Sequence, residues 1–172
     1  MQTNFTAAQL ADPDTAESNR ILRTCVHCGM CTATCPTFVL LGDELDSPRG
    51  RIYLIKDMLE GGKPATPEVV KHVDRCLSCL SCMTTCPSGV NYMHLVDHAR
   101  RHIEETYERP RDERLLRRVL AFVLPSVTRF RVALLFAALG RPLARFVPGS
   151  SMGAQLLRAM LRLAPVSYTH LT

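Results

Sequence analysis

Apolar residues in the first part of the chain recur at helical spacing, most clearly after position 47. Ser47 can cap a helix whose first turn accepts Pro48. The apolar positions that follow are Ile52, Leu54, Ile55, Met58 and Leu59. Gly61 and Gly62 end the pattern, because glycine favours helix ends. We therefore predict a helix that opens at Ser47 and stops at the glycine pair.

Two further helices are predicted in the same part of the chain. Thr66 and Pro67 repeat the capped start, and the helix that follows covers residues 68–75. A longer helix covers residues 92–108 and is ended by Pro110, which cannot continue a hydrogen-bonded helix. These patterns predict a mainly α-helical protein.

From Arg111 onward, apolar positions alternate with arginines, which predicts an amphipathic helix with a basic face. The apolar positions are Leu115, Leu116, Val119, Leu120 and Val123, and the basic ones are Arg114, Arg117 and Arg118. Prolines then divide the remainder into short helices, at Pro125, Pro142, Pro148 and Pro165. The longest apolar run there, Val132 to Leu139, is far shorter than the about 20 residues of a membrane-spanning helix.

The charge distribution separates the chain into two parts. Its net charge of +5 combines 11 basic and 14 acidic side chains in residues 1–110 with 10 basic and 2 acidic ones in residues 111–172. All ten of the later basic residues are arginine. A nearly neutral part is therefore followed by a basic, apolar one.

We predict four segments from these patterns. Residues 1–19 form an N-terminal arm, in which Asp12-Pro13-Asp14 interrupts any long helix. Residues 20–110 form the principal domain, and residues 111–165 form a basic helical linker or docking segment. Residues 166–172 continue no helical pattern, and we interpret them as a truncation or a scar.

The candidate chemistry lies in two cysteine runs that together use all eight cysteines of the chain. Each run has the pattern C-x2-C-x2-C-x3-C-P, and the second begins fifty-one residues after the first. The runs are Cys25, Cys28, Cys31, Cys35 and Cys76, Cys79, Cys82, Cys86. This spacing is the bacterial pattern for iron–sulfur ligation. It predicts two [4Fe-4S] clusters in a mainly α-helical protein, followed by short basic amphipathic helices.

In two-cluster ferredoxins the cysteine before the proline serves the other cluster. That rule predicts crossed ligand sets. Cluster 1 is held by Cys25, Cys28, Cys31 and Cys86, and cluster 2 by Cys76, Cys79, Cys82 and Cys35. The clusters then lie close together, which suits one-electron hopping.

Two other uses of the cysteines remain open. Zinc could bind two four-cysteine sites, but zinc explains neither the third cysteine of each run nor the repeated Cys-Pro ending. A disulfide framework needs an oxidising compartment. Residues 1–20 have no basic region and no apolar core of a signal peptide, so we expect a cytoplasmic protein.

Several polar side chains have two interpretations. His94, His98 and His102 share one helix face; a metal site there is an alternative, and a solvated face is favoured. His27, inside the first cysteine loop, is interpreted as a contact to a ligand or as exposed. Arg51 is interpreted as solvated charge. For Arg49, solvated charge and a cation near the clusters are equally favoured.

The sequence around both cysteine runs closely resembles the iron–sulfur subunit of bacterial glycolate oxidase. The stretches that carry the resemblance are Arg23–Gly29, Thr34–Thr37, Leu41–Lys56, Asp74–Cys79 and Thr85–Val90. The resemblance is tight over residues 20–92 and loose over residues 111–165. Members of that family continue into two cysteine-rich domains. This chain has no cysteine after Cys86, so we expect those domains to be absent from it.

The resemblance implies the alpha-helical ferredoxin fold and an electron-transfer subunit of an oxidoreductase. In that family a partner subunit with FAD oxidises glycolate to glyoxylate, and the iron–sulfur subunit carries the electrons onward. No catalytic residue is expected in this chain, which has no dinucleotide fingerprint. Related lactate dehydrogenase, glycerol-3-phosphate dehydrogenase and heterodisulfide reductase subunits are alternatives. A metal-stapled interaction module without redox activity is an alternative of another class.

The basic segment, residues 111–165, has three interpretations of its own. It can pack on another domain, or it can lie peripherally on the inner face of the cytoplasmic membrane. Nucleic-acid binding is disfavoured, because lysine and interleaved aromatic residues are missing there.

Overall fold

The computed structural model describes residues 1–140 together with Gln155, Arg158 and Ala159. The chain divides into two units, the first Met1–Glu108 and the second beginning at Arg109. The predicted segment of residues 166–172 lies outside the described residues, as do the short helices predicted around Pro142, Pro148 and Pro165.

Within residues 1–140 every regular element is helical, as the sequence pattern predicts. The helices are α1 (Ala7–Leu10), α2 (Pro13–Thr24), α3 (Pro36–Leu41), α4 (Pro48–Gly61), α5 (Pro67–Asp74), α6 (Ser81–Thr85), α7 (Tyr92–Thr106), α8 (Arg111–Val123) and α9 (Val127–Gly140), with one 3-10 turn at Glu44–Asp46.

The predicted helix starts are confirmed at the level of individual hydrogen bonds. The Ser47 hydroxyl accepts a bond from the Gly50 N–H, and Gly62 takes a left-handed conformation, with φ of 57°, just after α4. Thr66 caps α5 in the same way, through the Val69 N–H. The sequence therefore placed the bounds of α4 and α5 to within one residue.

The core of the first unit lies between α2, α4, α5 and α7. Its fully buried apolar side chains include Leu22, Ile55, Val73, Leu95 and Ile103. Burying a side chain of this size stabilises a fold by about 1.5–3 kcal/mol. Because α2 and α5 lead into the two cysteine loops and α7 follows the second, the same packing fixes the spacing of the two runs.

Gly50 lets α4 pack directly on the 3-10 turn. A Cβ atom at Gly50 would clash with the Glu44 carbonyl oxygen and would lie 2.9 Å from the Leu45 Cα. Only a residue without a side chain allows this approach. The close contact places Asp46 and Ser47 in fully buried positions beside α4.

The N-terminal segment is not the separate arm that we predicted. Residues 13–19 are the first half of α2, and Ser18 is fully buried. The amino group of Met1 donates to the Cys25 carbonyl oxygen at 2.8 Å. The prediction was wrong because Asp12-Pro13-Asp14 was interpreted only as a break in a helix. In the structure these residues start a helix: α2 begins at Pro13, and Asp12 caps it.

The second unit has the basic amphipathic helix that the sequence predicts. Apolar side chains of α8 are exposed, among them Leu115 (61 %), Val119 (48 %) and Phe122 (61 %). Helix α9 follows after the break at Pro125 and contacts α8. No helix among the described residues is both long enough and apolar enough to cross a membrane.

Candidate metal centre

The cysteine loops enclose two cavities, and the four thiols of each crossed set line one of them. The first cavity, about 450 Å³ including space open to solvent, is lined by Cys25, Cys28, Cys31 and Cys86. The second, about 300 Å³ on the same measure, is lined by Cys35, Cys76, Cys79 and Cys82. Cys82 and Tyr92 line both cavities, so the two sites are neighbours.

The two cysteine loops adopt the same backbone conformation although their sequences differ. His27 and Gly29 in the first loop have φ of 54° and 83°. Ser78 and Leu80, at the corresponding positions of the second, have φ of 51° and 58°. A left-handed residue other than glycine costs about 1–2 kcal/mol. Among the described residues, every non-glycine residue with positive φ lies in one of these two loops, each of which turns three thiols towards one cavity. In the sequence, only Gly29 indicated this conformation.

The helix ends place the remaining ligand candidates. Cys25 follows the last residue of α2, and Cys35 and Cys86 stand just before α3 and just after α6. Pro36 is the first residue of α3, so the proline of the motif starts a helix and does not only turn the chain away. The cysteine before each proline therefore sits at a fixed helix boundary.

The chemistry of the donor set fits metal-bound thiolates. All eight cysteines carry free thiols. Burial, together with the crowding of like charges by the neighbouring Cys76 and Cys31, raises the pKa of Cys82 to about 12. Burial likewise raises the pKa of Cys31. Thiols gathered in this way become thiolates only when a cation offsets their charge.

Arg51 is not the solvated charge that the sequence analysis favoured. Its side chain is 1 % exposed, and its Nε donates to the His72 carbonyl oxygen at 2.7 Å. One guanidinium nitrogen, Nη1, lies 3.8 Å from Cys35 Sγ. The prediction failed because Arg51 falls on the helix face that packs against the 3-10 turn, which helical spacing alone did not show.

Asp46 is the counter-charge of this guanidinium. Its carboxylate is fully buried and accepts bonds from Arg51 at 3.2 Å, from His72 Nδ1 at 3.0 Å and from Arg75 at 2.8 Å. Burial by itself raises the pKa of Asp46, but the bonds from His72 and Arg75 outweigh it and hold the pKa below its ordinary value. Two arginines therefore surround one carboxylate beside the second cavity.

Hydrogen-bond donors also reach the sulfurs directly. The Tyr92 hydroxyl donates to Cys76 Sγ at 3.7 Å. The Thr37 hydroxyl lies 3.2 Å from Cys35 Sγ but donates to the Asp46 carbonyl oxygen at 2.8 Å. At the first cavity, the Val90 backbone N–H lies 3.5 Å from Cys86 Sγ. Sequence reasoning missed Thr37 and Tyr92, because nothing in the local pattern connects either residue to a sulfur.

Arg49 lines the first cavity and pairs at 2.7 Å with Glu44. Both side chains are partly exposed, at 35 % and 46 %. Of the two interpretations left open for Arg49, the cation near the first thiol group is the one that its position fits. Its charge is shared with Glu44 and with solvent.

The histidine row on α7 is neither a metal site nor a solvated face. His98 is buried, and its Nδ1 lies 2.7 Å from the Ser18 hydroxyl. His94 and His102 are half-buried and contact the carbonyl oxygens of Asp14 and Lys63. The favoured interpretation was wrong, because the row faces α1, α2 and the loop before α5 instead of water.

His27 lines the first cavity and is held in place from two sides. Its ring stacks on Tyr53 with 4.3 Å between centroids, and its Nε2 lies 3.2 Å from Met1 Sδ. A thioether can only accept a hydrogen bond, so the neutral ring carries its proton on Nε2 and a lone pair on Nδ1. Burial lowers the pKa of His27, and the Met1 amino group and Arg49 lower it further. The neutral form is thereby favoured.

Comparison with known proteins identifies the same site. Residues 21–90 match the family model described as a 4Fe-4S dicluster domain. The glycolate oxidase iron–sulfur subunit of Escherichia coli K12 is 53% identical over 131 residues, which cover 76% of this chain and 32% of that protein. No solved structure matches significantly.

Two further relatives are similar to this chain at lower identity. The probable glycolate oxidase iron–sulfur subunit of Bacillus subtilis 168 is 37% identical over 65% of this chain and 26% of that protein. A heterodisulfide reductase subunit of Methanosarcina barkeri is 28% identical over 58% of this chain and 26% of its own length. The chain therefore spans about a quarter to a third of the length of these relatives.

These findings confirm the predicted resemblance and the predicted fold class. The eight cysteines fit two [4Fe-4S] clusters, in keeping with the match to the dicluster family model. Residues 21–90 of this chain match the 4Fe-4S dicluster domain family, and the chain is similar to glycolate oxidase iron–sulfur subunits.

Proposed function

We propose that the chain relays electrons, one at a time, from a flavin-containing partner subunit that oxidises glycolate to glyoxylate. The observation that carries the proposal is the pair of neighbouring cavities, each lined by one set of four thiols and both touching Cys82. When bound, a [4Fe-4S] cluster accepts and returns a single electron. The choice of glycolate rests on the names of two relatives at 53% and 37% identity.

The proposed ligand sets are crossed between the two runs. Cluster 1 is held by Cys25, Cys28, Cys31 and Cys86, and cluster 2 by Cys76, Cys79, Cys82 and Cys35. The support is that each of these sets lines one cavity. In this arrangement Cys35 and Cys86 connect the two halves of the domain, and neither half can hold a complete cluster alone.

The residues of this chain hold the two clusters, shield them from solvent and fix their orientation. The strained loops aim three thiols at each cavity, and the core helices fix the distance between the loops. The chemistry on glycolate belongs to the partner, where FAD is expected. The proposed division of labour makes the chain a subunit of an oxidoreductase without a substrate site of its own.

One experiment tests both the relay and the donor. The chain is purified anaerobically with its associated flavoprotein, and the visible thiolate-to-iron absorbance is recorded before and after addition of glycolate, D-lactate, L-lactate or glycerol 3-phosphate. Bleaching by glycolate alone supports the proposal. Bleaching by another donor keeps the relay and replaces the substrate. Zinc in place of iron would overturn the relay.

The crossed ligation is tested with a pair of serine variants. Cys86→Ser is expected to disturb the cluster that contains Cys25, and Cys35→Ser the one that contains Cys76. Each single variant is compared with a double variant that adds Cys28→Ser or Cys79→Ser, and iron content is measured after reconstitution. If Cys86→Ser and Cys79→Ser disturb the same cluster, the ligand sets are not crossed.

A second proposal concerns the basic helix α8 in the segment of residues 111–165. Its exposed apolar side chains, Leu115, Val119 and Phe122, stand three or four residues apart and so share one face. Arg114 and Arg118 are exposed on the same helix. A helix with an apolar stripe and flanking arginines suits peripheral binding to the anionic inner face of the cytoplasmic membrane.

A further inference from the structure

One side chain of α7 reaches back to two points of the second cysteine loop. Arg100 donates through Nη2 to the Cys76 carbonyl oxygen at 2.7 Å and through Nη1 to the Ser78 hydroxyl at 2.6 Å. Only Leu77 separates these two points in the chain. The guanidinium is planar and rigid, so its two nitrogens fix the direction of both bonds at once. Arg100 therefore ties the start of the loop to the helix that follows it.

The start of this loop is both strained and exposed. Ser78 has φ of 51°, in the left-handed region where a residue with a side chain is strained. Leu77 is 66 % exposed, and Ser78 and Cys79 are exposed as well. The hydrophobic core therefore does not hold this stretch by packing. Because a strained conformation persists only where the surrounding structure holds it, the two bonds from Arg100 are what stabilise it.

The first cysteine loop is tied at the same two positions by a different residue. Cys25 and His27 correspond to Cys76 and Ser78, each pair being fifty-one residues apart. The Met1 amino group donates to the Cys25 carbonyl oxygen at 2.8 Å, and Met1 Sδ lies 3.2 Å from His27 Nε2. Two loops of different sequence thus receive the same pair of contacts from outside the loop. The repetition indicates that this pair of contacts belongs to the loop conformation itself.

The contact from Arg100 acts on a residue whose thiol lines the second cavity. The Cys76 N–H donates to the Val73 carbonyl oxygen at 3.2 Å, and the Cys76 carbonyl oxygen accepts from Arg100. Fixing the backbone on both sides of a residue fixes the direction of its Cα–Cβ bond, and so the few positions that Sγ can take. The two bonds of Arg100 end on a carbonyl oxygen and a hydroxyl. Its effect on the thiol is therefore made through the backbone of Cys76.

We propose that Arg100 is a positioning residue of the second cluster site. Its two hydrogen bonds hold residues 76–78 in the conformation that aims Cys76 Sγ into the second cavity. The inference rests on the ligand set proposed above, in which Cys76 holds a cluster. The role needs the forked guanidinium and not the positive charge alone, because two bonds must be made in two fixed directions.

The test is paramagnetic NMR of the full chain, loaded anaerobically with iron and sulfide. The hyperfine shift of a cysteine β-proton depends on the torsion angle between Cβ and the iron, so each ligand reports its own orientation. Cys76→Ser and Cys25→Ser identify the signals of these two ligands. Arg100→Met removes both bonds and is expected to move the Cys76 signals and leave the Cys25 signals in place. Arg101→Met is the matched control, because Arg101 is next in sequence and pairs with Asp14, and it is expected to move neither set.

The rate of cluster loss gives the size of the effect and separates the fork from the charge. Arg100→Met is expected to release the iron of one cluster to a chelator about tenfold faster than the parent, because two bonds from a charged donor are lost. Arg100→Lys keeps the charge without the fork and should release iron at nearly the rate of Arg100→Met. Adding Ser78→Gly to Arg100→Met should bring the rate back to within about threefold of the parent, since glycine adopts positive φ without strain.

The outcomes separate the two proposals. A parent chain in which Cys76 has no hyperfine-shifted signals overturns the ligand assignment, and the positioning role with it. Shifted Cys76 signals that Arg100→Met leaves in place overturn the positioning role alone. A parent-like Arg100→Lys would assign the effect to charge and would also overturn that role. Equal effects of Arg100→Met and Arg101→Met would overturn it as well, because the contact of Arg101 is with Asp14 and not with the loop.

Discussion

Arg51 reaches from the first turns of α4 to within 3.8 Å of Cys35 Sγ, across a separation of sixteen residues in sequence. The guanidinium is fully buried there, with Asp46 as its ion-pair partner at 3.2 Å. A buried charge of this kind is stable only while its partners remain. The ion-pair group of Arg51, Asp46, His72 and Arg75 thus ties the fold of the first unit to the second thiol cavity.

Replacing Arg51 with Met is expected to destabilise the first unit by about 3 kcal/mol, because the change leaves Asp46 buried with one partner fewer. Arg49→Met is the matched control two residues earlier. Its ion pair with Glu44 is partly exposed, so a loss within about 1 kcal/mol is expected. Anaerobic urea unfolding followed by circular dichroism measures both. Similar losses from the two variants would contradict the buried role of Arg51.

Two glycines of α4 are expected to respond in opposite ways to alanine. A Cβ at Gly50 meets the Glu44 carbonyl group, whereas a Cβ at Gly61 meets nothing within 4 Å. Gly50→Ala should cost about 1–3 kcal/mol or more, because backbone must move. Gly61→Ala should gain up to about 1 kcal/mol from helix propensity. The free energy of unfolding of each variant measures both effects. If Gly50→Ala leaves the free energy of unfolding unchanged, the contact between α4 and the 3-10 turn is loose.

His98 is expected to make the stability of the first unit pH-dependent. Burial lowers the pKa of His98 below its ordinary value of 6.5, although Asp14 acts in the opposite direction. The unfolded chain therefore binds a proton more readily than the folded one, and stability falls as the pH drops below about 6.5.

The variant that tests this dependence is His98→Leu, which removes the titrating group from α7. The decrease of the urea midpoint from pH 8 to pH 5 should then be smaller than in the parent protein. His102→Leu, one turn further along α7, is the matched control and should keep the decline of the parent. An unchanged pH profile in His98→Leu would contradict the assignment.

The left-handed residues of the cysteine loops give a further pair of opposite expectations. Leu80 has φ of 58°, so Leu80→Gly should remove about 1 kcal/mol of strain. Gly29→Ala, at the corresponding position of the first loop, should destabilise, because φ is 83° and a Cβ would lie 2.7 Å from Arg49 Nη1. Cluster loss on exposure to a chelator is the readout. Faster loss from Leu80→Gly would indicate that its side chain protects the second cavity more than its strain costs.

Membrane binding by α8 is expected to depend on lipid charge and salt. The full chain should sediment with vesicles rich in phosphatidylserine and remain free of neutral phosphatidylcholine vesicles. Each arginine near an anionic surface contributes about 1 kcal/mol. Replacing both Arg114 and Arg118 with Gln should therefore weaken binding about thirtyfold. Equal binding to neutral vesicles would point to the apolar stripe alone, and no binding to either would contradict the membrane proposal.

The sequence was sufficient for the starts of α4 and α5 and for the identity of the donor atoms. Ser47 and Thr66 start their helices through hydrogen bonds to residues three positions later, and such short-range interactions are readable from local sequence. The spacing of the cysteines likewise predicts iron–sulfur chemistry, because three of the ligands of each cluster come from one tight loop.

The sequence was not sufficient for the environment of those ligands. Arg51 and His98 were both assigned to water and are both buried. Each side chain contacts an element distant in the chain, which includes His72 for Arg51 and Ser18 for His98. Helical periodicity says which residues share a face, and it does not say what that face meets.

The sequence by itself determined the helical class, the helix starts and the eight thiols, because each depends on residues within a few positions of one another. Only the tertiary structure decided that Cys86 lines the first cavity and Cys35 the second, and that Arg51 and Thr37 line the second cavity and not the first. The reason is physical. Bonding and capping are short-range along the chain, whereas charge and hydrogen bonding act across space between residues that packing brings together.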